Sequence, residues 1–158
     1  MGRKVGRKLF ALTKSLLKWR VLSLRNHFMD YEQTLEELEE ELTELREENK
    51  TVPIIVEGDK DIAALRKLEI SGEIIRFNKG LSVPDFCDII AQKHQQIIIL
   101  TDWDWRGTRL CYSIKKHLEN RVRCNLKHRE VFAKRCSCRT VEGLPSWTET
   151  LKNKTHPE

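Results

Sequence analysis

Ile97, Ile98, Ile99 and Leu100 are apolar at four consecutive positions, with no polar residue on either side of the extended chain they would form. Successive side chains of a strand point to opposite faces, so a run without alternation has to be covered on both. That is the condition of a central strand in a parallel sheet with helices on both faces. The neighbouring pattern agrees. Residues 51–56 (TVPIIV) and 73–77 read as two further strands, and 131–133 as a last, weaker one. Residues 61–68, 83–91 and 108–118 read as helices. Strand and helix alternating at this spacing predict an α/β domain.

The first fifty residues follow a different rule. Leu17, Val21, Leu24, Phe28, Tyr31, Leu35, Leu38, Leu42 and Leu45 are separated by alternating intervals of four and three, the spacing of a coiled-coil seam. Residues 1–30 carry eight lysines and arginines against one acid, and residues 31–50 carry nine glutamates against two bases. With no proline or glycine between Arg7 and Lys50, the pattern predicts one helix of about 40 residues, near 60 Å long at 1.5 Å per residue. Its stripe needs a partner. A homodimer through residues 10–49 would lay the basic half of one copy along the acidic half of the other. A helical hairpin turning near Asn26 and His27 would match the same charges within one chain. The expected division is a helical segment over 1–50, the α/β domain over 51–125 and a basic extension over 126–158.

A chain of 158 residues has room for one such domain and an accessory segment. The formal charge of +5 favours an anionic partner. No run approaches the roughly 18 consecutive apolar residues of a membrane span, and the start lacks the apolar block of a secretory signal. The absence of acids before Asp30 imitates a transit peptide, but the long apolar register argues against its removal. Five cysteines form no even framework, and Cys87 and Cys111 sit inside apolar helical patterns, so a reducing, cytoplasmic setting is expected. Cys124, His128, Cys136 and Cys138 match no standard zinc spacing and read as unrelated thiols and a histidine.

Ligands of an open parallel sheet collect at the carboxyl ends of its strands. Here those ends are acidic. The first strand runs into Glu57-Gly58-Asp59-Lys60-Asp61, and the buried one into Thr101-Asp102-Trp103-Asp104-Trp105-Arg106-Gly107. Carboxylates held a few ångströms apart repel unless a hard cation neutralises them, and magnesium takes one or two carboxylates while leaving positions for water and phosphate. Asp102 and Asp104, two apart, face one side of an extended backbone, and Gly107 lets the chain turn closely into the next helix. Asp59, Asp61 and Asp104 also suit helix starts, where an acid caps free amides or meets the dipole. Glu57 has no such alternative. Lys79, in the loop after the second strand, and Arg106 and Arg109 add positive charge at the same edge. Trp103 and Trp105 flank Asp104, for core packing or for stacking an unpaired base.

The pair IIVEGDKD and IILTDWDWRG, about 40 residues apart, resembles the two signature motifs of the Toprim domain, over roughly residues 52–125. That family includes topoisomerases, bacterial-type primases and several nucleases. The E-G-x-x-D form at Glu57, Gly58 and Asp61 is most similar to the ribonuclease that matures 5S ribosomal RNA and to small stand-alone archaeal Toprim proteins. The resemblance implies a Rossmann-like parallel sheet with Glu57 as general acid or base, a Mg²⁺ site built from Glu57, Asp102 and Asp104, and Asp61 joining that metal site. It also implies phosphodiester processing of nucleic acid, RNA before DNA, with Lys79, Arg106 and Arg109 on phosphate. The alternatives are a non-catalytic, metal-dependent nucleic-acid-binding module and an accessory subunit of a primase or topoisomerase system.

Overall fold

The computed structural model describes residues 30–156. Helix α1 (Tyr31–Asn49) leads into β1 (Ile54–Val56), α2 (Asp59–Lys67), β2 (Ile74–Arg76), α3 (Val83–Lys93), β3 (Gln96–Ile99), α4 (Trp105–Leu118) and β4 (Arg123–Asn125). Helix α5 (Lys127–Arg135), a 3₁₀ turn (Val141–Gly143) and α6 (Leu144–Thr155) complete the chain. The four strands are all parallel, in the order β2-β1-β3-β4.

The unalternating strands divide their side chains between two cores, as the sequence requires. Ile54, Val56, Ile98 and Leu100 enter one together with Leu38, Leu42 and Leu45 of α1, Leu65 of α2, Phe132 of α5 and Leu144 and Leu151 of α6. Ile55, Ile97 and Ile99 enter the other with Phe86, Cys87 and Ile90 of α3 and Cys111, Ile114 and Leu118 of α4. Helices therefore cover both faces of a parallel sheet, and Cys87 and Cys111 are fully buried free thiols in its core.

Two expectations need correction. Residues 131–133 form no strand: they lie within α5, where His128, Arg129 and Phe132 turn inward at helical spacing. The last strand is instead β4, whose Arg-Cys-Asn sequence carries no strand periodicity; it is an edge strand held by its ladder to β3. Nor does one rod run through residue 30. Asp30 has extended backbone angles, φ −73° and ψ 97°, and its side chain caps α1 by accepting from Gln33 N at 3.1 Å.

The acidic half of the seven-residue pattern is covered from within the chain. Leu35, Leu38, Leu42 and Leu45 are all buried, against α5 and α6. The acids of α1 meet bases from the C-terminal segment: Glu37 pairs with Arg135, Glu39 with Lys152 at 3.3 Å, and Glu44 with Lys127. That face of residues 31–49 is thus taken up inside one chain and is not open to a second copy. Leu17, Val21, Leu24 and Phe28, with Asn26 and His27, lie outside the described residues.

Candidate metal centre

Between β1 and β3 the sheet changes direction, because β2 was added on one side of β1 and β3 and β4 on the other. A crevice opens at such a point beyond the carboxyl ends of the strands. Glu57 follows β1 and Asp102 follows β3, so both project there. Glu57 Oε1 accepts from the Asp102 amide at 3.0 Å, tying the two strand ends across the crevice.

Close approach makes this possible. A Cβ on Gly107 would lie 2.0 Å from the Asp102 carbonyl oxygen and 2.7 Å from Glu57 Oε1. The nearest atom is backbone and has no rotamer in which to retreat. Gly107→Ala is expected to destabilise the fold by about 1–3 kcal/mol, the cost of forcing extra atoms into a packed site, read as a lower urea midpoint. An unchanged midpoint would mean that the turn relaxes freely.

Asp104 is the N-cap of α4, with Oδ1 accepting from Gly107 N at 2.7 Å. Asp61 closes the start of α2 by accepting from Gly58 N at 3.0 Å. Asp59 is not that helix's cap: Gly58 occupies the cap position, and Asp59 pairs with Arg76 at 2.7 Å on the surface. Asp102 Oδ1 accepts from Val141 N at 2.8 Å. The loop is held from behind by buried Arg129, which donates to the carbonyls of Thr101 at 3.0 Å and Asp102 at 2.7 Å and to Thr108 Oγ1 at 2.8 Å.

Charge is crowded here. Burial, with the carboxylates of Asp61, Glu57 and Asp104 adding to it, pushes Asp102 up to about 6 against the pull of the Val141 amide. Burial first, then Asp104 and Asp61, raises Glu57, while the Asp102 amide and Lys79 oppose. Asp61 is raised by burial and by Glu142, against the Gly58 amide. Glu57 and Asp102 therefore both feel the charges of Asp61 and Asp104. Lys79 joins them across a cleft of about 320 Å³ that Glu57 shares with Arg76, Phe77 and Gly80. Arg106 and Arg109 are exposed on α4, and neither bonds to the four acids among the described residues.

The two tryptophans part company. Trp103 packs against Phe132 and donates its indole N–H to the Cys138 carbonyl at 2.6 Å. Trp105 is 69% exposed. His128 lies buried between Glu41 and Glu48, at 2.5 and 2.7 Å, and so belongs to no thiol cluster.

Residues 52–134 match the Toprim domain family. The chain belongs to the Toprim domain family. It is 43% identical to the UPF0292 protein TV1259 of Thermoplasma volcanium, over 64% of this chain and 86% of that one. A UPF0292 protein of Methanosarcina acetivorans is 32% identical over 79% of this chain and 89% of its own. A solved structure of a putative protein from Aquifex aeolicus superposes with TM-score 0.53 and 27% identity, covering 61% of this chain and 88% of that one. The chain is therefore like small archaeal Toprim proteins, and membership supports a metal-dependent, nucleic-acid-related function at the level of the family.

The Toprim edge has the donor chemistry a hard cation needs. One oxygen each of Glu57, Asp102 and Asp104 is held by a backbone amide, which fixes the carboxyls and directs the second oxygen elsewhere. Among the described residues no three His, Cys, Asp or Glu side chains form a ready-made metal cage.

Arg129, Val141 and Glu142 escaped the sequence reading. Arg129 looked like one more member of a basic run, and a backbone amide such as that of Val141 leaves no signature. Helix α6 did leave one: Pro145 near its start, with Leu144, Trp147 and Leu151 at helical spacing. No helix among the described residues is long and apolar enough to cross a membrane.

Proposed function

We propose that this Toprim domain is a magnesium-dependent nuclease that processes phosphodiester bonds, of structured RNA in preference to DNA. The observation that carries the reading is the meeting of Glu57 and Asp102 across the crevice, with Asp102 driven to about 6 by burial and three neighbouring acids. A site so strained electrostatically is relieved by a cation. Asp102 and Asp104 would hold the metal, with Asp61 nearby. When bound, magnesium supplies positive charge to phosphate oxygens and makes bound water more acidic.

The chain's own groups then divide the work. Glu57, raised above the ordinary carboxylate range and fixed by the Asp102 amide, takes up or returns a proton at its free oxygen. Lys79, at the mouth of the cleft, neutralises a phosphate beside it. Arg106 and Arg109, exposed on α4, hold the backbone on the other side. Arg129 and the Val141 amide keep Asp102 in place.

The preference for RNA rests on the likeness of the Glu57-Gly58-x-x-Asp61 form to the ribonuclease that matures 5S ribosomal RNA. End-labelled structured RNA and DNA, incubated with and without magnesium, test the reading. Wild-type protein should cut only with metal, and the Asp102→Ala, Asp104→Ala double variant should not cut. Metal-dependent binding without cleavage would replace the enzyme with a binding module.

A further inference from the structure

Single exposed apolar side chains are ordinary, whereas several gathered on one face mark an interaction site. Among the described residues only Ile89, Trp105 and Tyr112 are exposed large hydrophobics, and two of them lie on α4 seven residues apart. At 100° per residue that spacing puts Trp105 and Tyr112 on one face of the helix. Arg109 and Lys116 fall on the same face, giving an order of Trp105, Arg109, Tyr112, Lys116 over about 16 Å at 1.5 Å per residue. All four are exposed. The Arg109 guanidinium lies over the Trp105 ring, 4.8 Å from its centroid.

Two further features give the stripe a direction and a charge. It begins one residue after Asp104, at the rim of the acidic crevice, and runs away from it along α4. The helix carries Arg106, Arg109, Lys115 and Lys116 and no acid at all. Aromatic rings alternating with cations at this spacing match a chain of phosphates bearing unpaired bases: rings stack on base faces, and the cations meet the backbone between them. A duplex, whose bases are stacked on one another, offers no free face to either ring.

We propose that Trp105, Arg109, Tyr112 and Lys116 form a stacking track for a single-stranded segment of nucleic acid leading into the acidic crevice. The track rests on the functional reading above and adds a substrate class to it: a strand unpaired beside the bond to be processed. Trp105 is the stacking platform nearest the site. Tyr112 is the second, and Arg109 both fixes the Trp105 ring and neutralises a phosphate.

Fluorescence anisotropy of labelled oligo-uridine, against a fully paired RNA duplex of the same length, tests this in buffer containing EDTA. Trp105→Ala is expected to weaken oligo-uridine binding about ten-fold, and Trp105→Phe to stay within about three-fold of wild type, because ring area is kept. Duplex affinity should be unchanged in both, as should the melting temperature, since the side chain is exposed. Equal losses for strand and duplex would overturn the track, as would no loss for either. So would unchanged oligonucleotide binding together with a dimer that Trp105→Ala converts to monomer in sedimentation, which would make the stripe a contact between copies. Because EDTA removes cleavage, the two readings fail separately. A wild type that binds oligo-uridine through Trp105 but never cuts RNA overturns the nuclease alone. One that cuts RNA while Trp105→Ala binds and cuts unchanged overturns the track alone.

Discussion

Glu57→Gln is expected to lower the proposed magnesium-dependent cleavage of structured RNA by about 10²–10⁴-fold, the span that a positioned acid or base contributes. Glutamine keeps the carbonyl oxygen that accepts from the Asp102 amide at 3.0 Å, so the two strand ends stay tied. What it loses is the proton. Binding measured in EDTA should therefore remain within about two-fold of wild type, since affinity follows the phosphates that lysine and arginine neutralise, and those side chains are untouched. Rates of cleavage by end-labelled gel assay, set beside anisotropy, separate the two effects. Wild-type cleavage by Glu57→Gln, with a dead Asp102→Ala, Asp104→Ala variant, would leave Glu57 as a strand tie and nothing more.

His128→Ala should destabilise the fold by about 3–5 kcal/mol, the cost of breaking a buried pair and leaving a charge behind. The imidazole is 1% exposed, and both ring nitrogens face carboxylates, Glu41 at 2.5 Å and Glu48 at 2.7 Å. Glu41 is itself 7% exposed, and its only other cation among the described residues is Lys127 at 3.9 Å. Glu48 suffers less, because Asn125 Nδ2 still donates to it at 2.9 Å. Equilibrium urea denaturation reads the loss. Replacing both His128 and Glu41 by leucine should recover most of it, since a buried ionic pair exchanged for apolar side chains is often close to neutral. A single variant as stable as wild type would mean that water reaches Glu41 freely. The effect should reach the site, because the neighbouring Arg129 on α5 carries the hydrogen bonds that position Thr101 and Asp102.

The central strands and their acidic ends were legible because one physical rule governs both. A strand buried on two faces must be apolar throughout, so the first charged residue after it marks where the sheet meets solvent, and Glu57 and Asp102 stand at those points. What sequence could not show is what closes the site from the other end of the chain. Val141 reaches Asp102 across 39 positions through a backbone amide, and any residue but proline supplies one. The stripe of α1 misled for an equally plain reason. Apolar residues every three or four positions say that a helix face must be covered, and they do not say by whom. Here Leu38, Leu42 and Leu45 are covered by Phe132, Leu144 and Leu151 of the same chain, so a seam suited to a second copy is filled by α5 and α6. Residues 131–133 were mistaken because three apolar residues are too few to distinguish a strand from one turn of α5.

The carboxylate edge as a metal site is tested most directly by melting temperature in EDTA and in magnesium, for wild type and Asp102→Asn. Burial and the neighbouring acids push Asp102 up to about 6 in the folded protein, against 3.8 ordinarily. From about pH 4 to 6 the folded state holds a proton that the unfolded chain has released, so metal-free stability falls as pH rises across that window. At pH 8 Asp102→Asn should therefore be more stable than wild type in EDTA by about 1 kcal/mol, once the partly exposed position is discounted for solvent screening, and so melt at a higher temperature. Magnesium should raise the wild type's melting temperature at pH 8, lose that effect at pH 5 where Asp102 is protonated, and leave Asp102→Asn unmoved. An equal magnesium shift in both proteins, or none in the wild type at pH 8, would contradict the account.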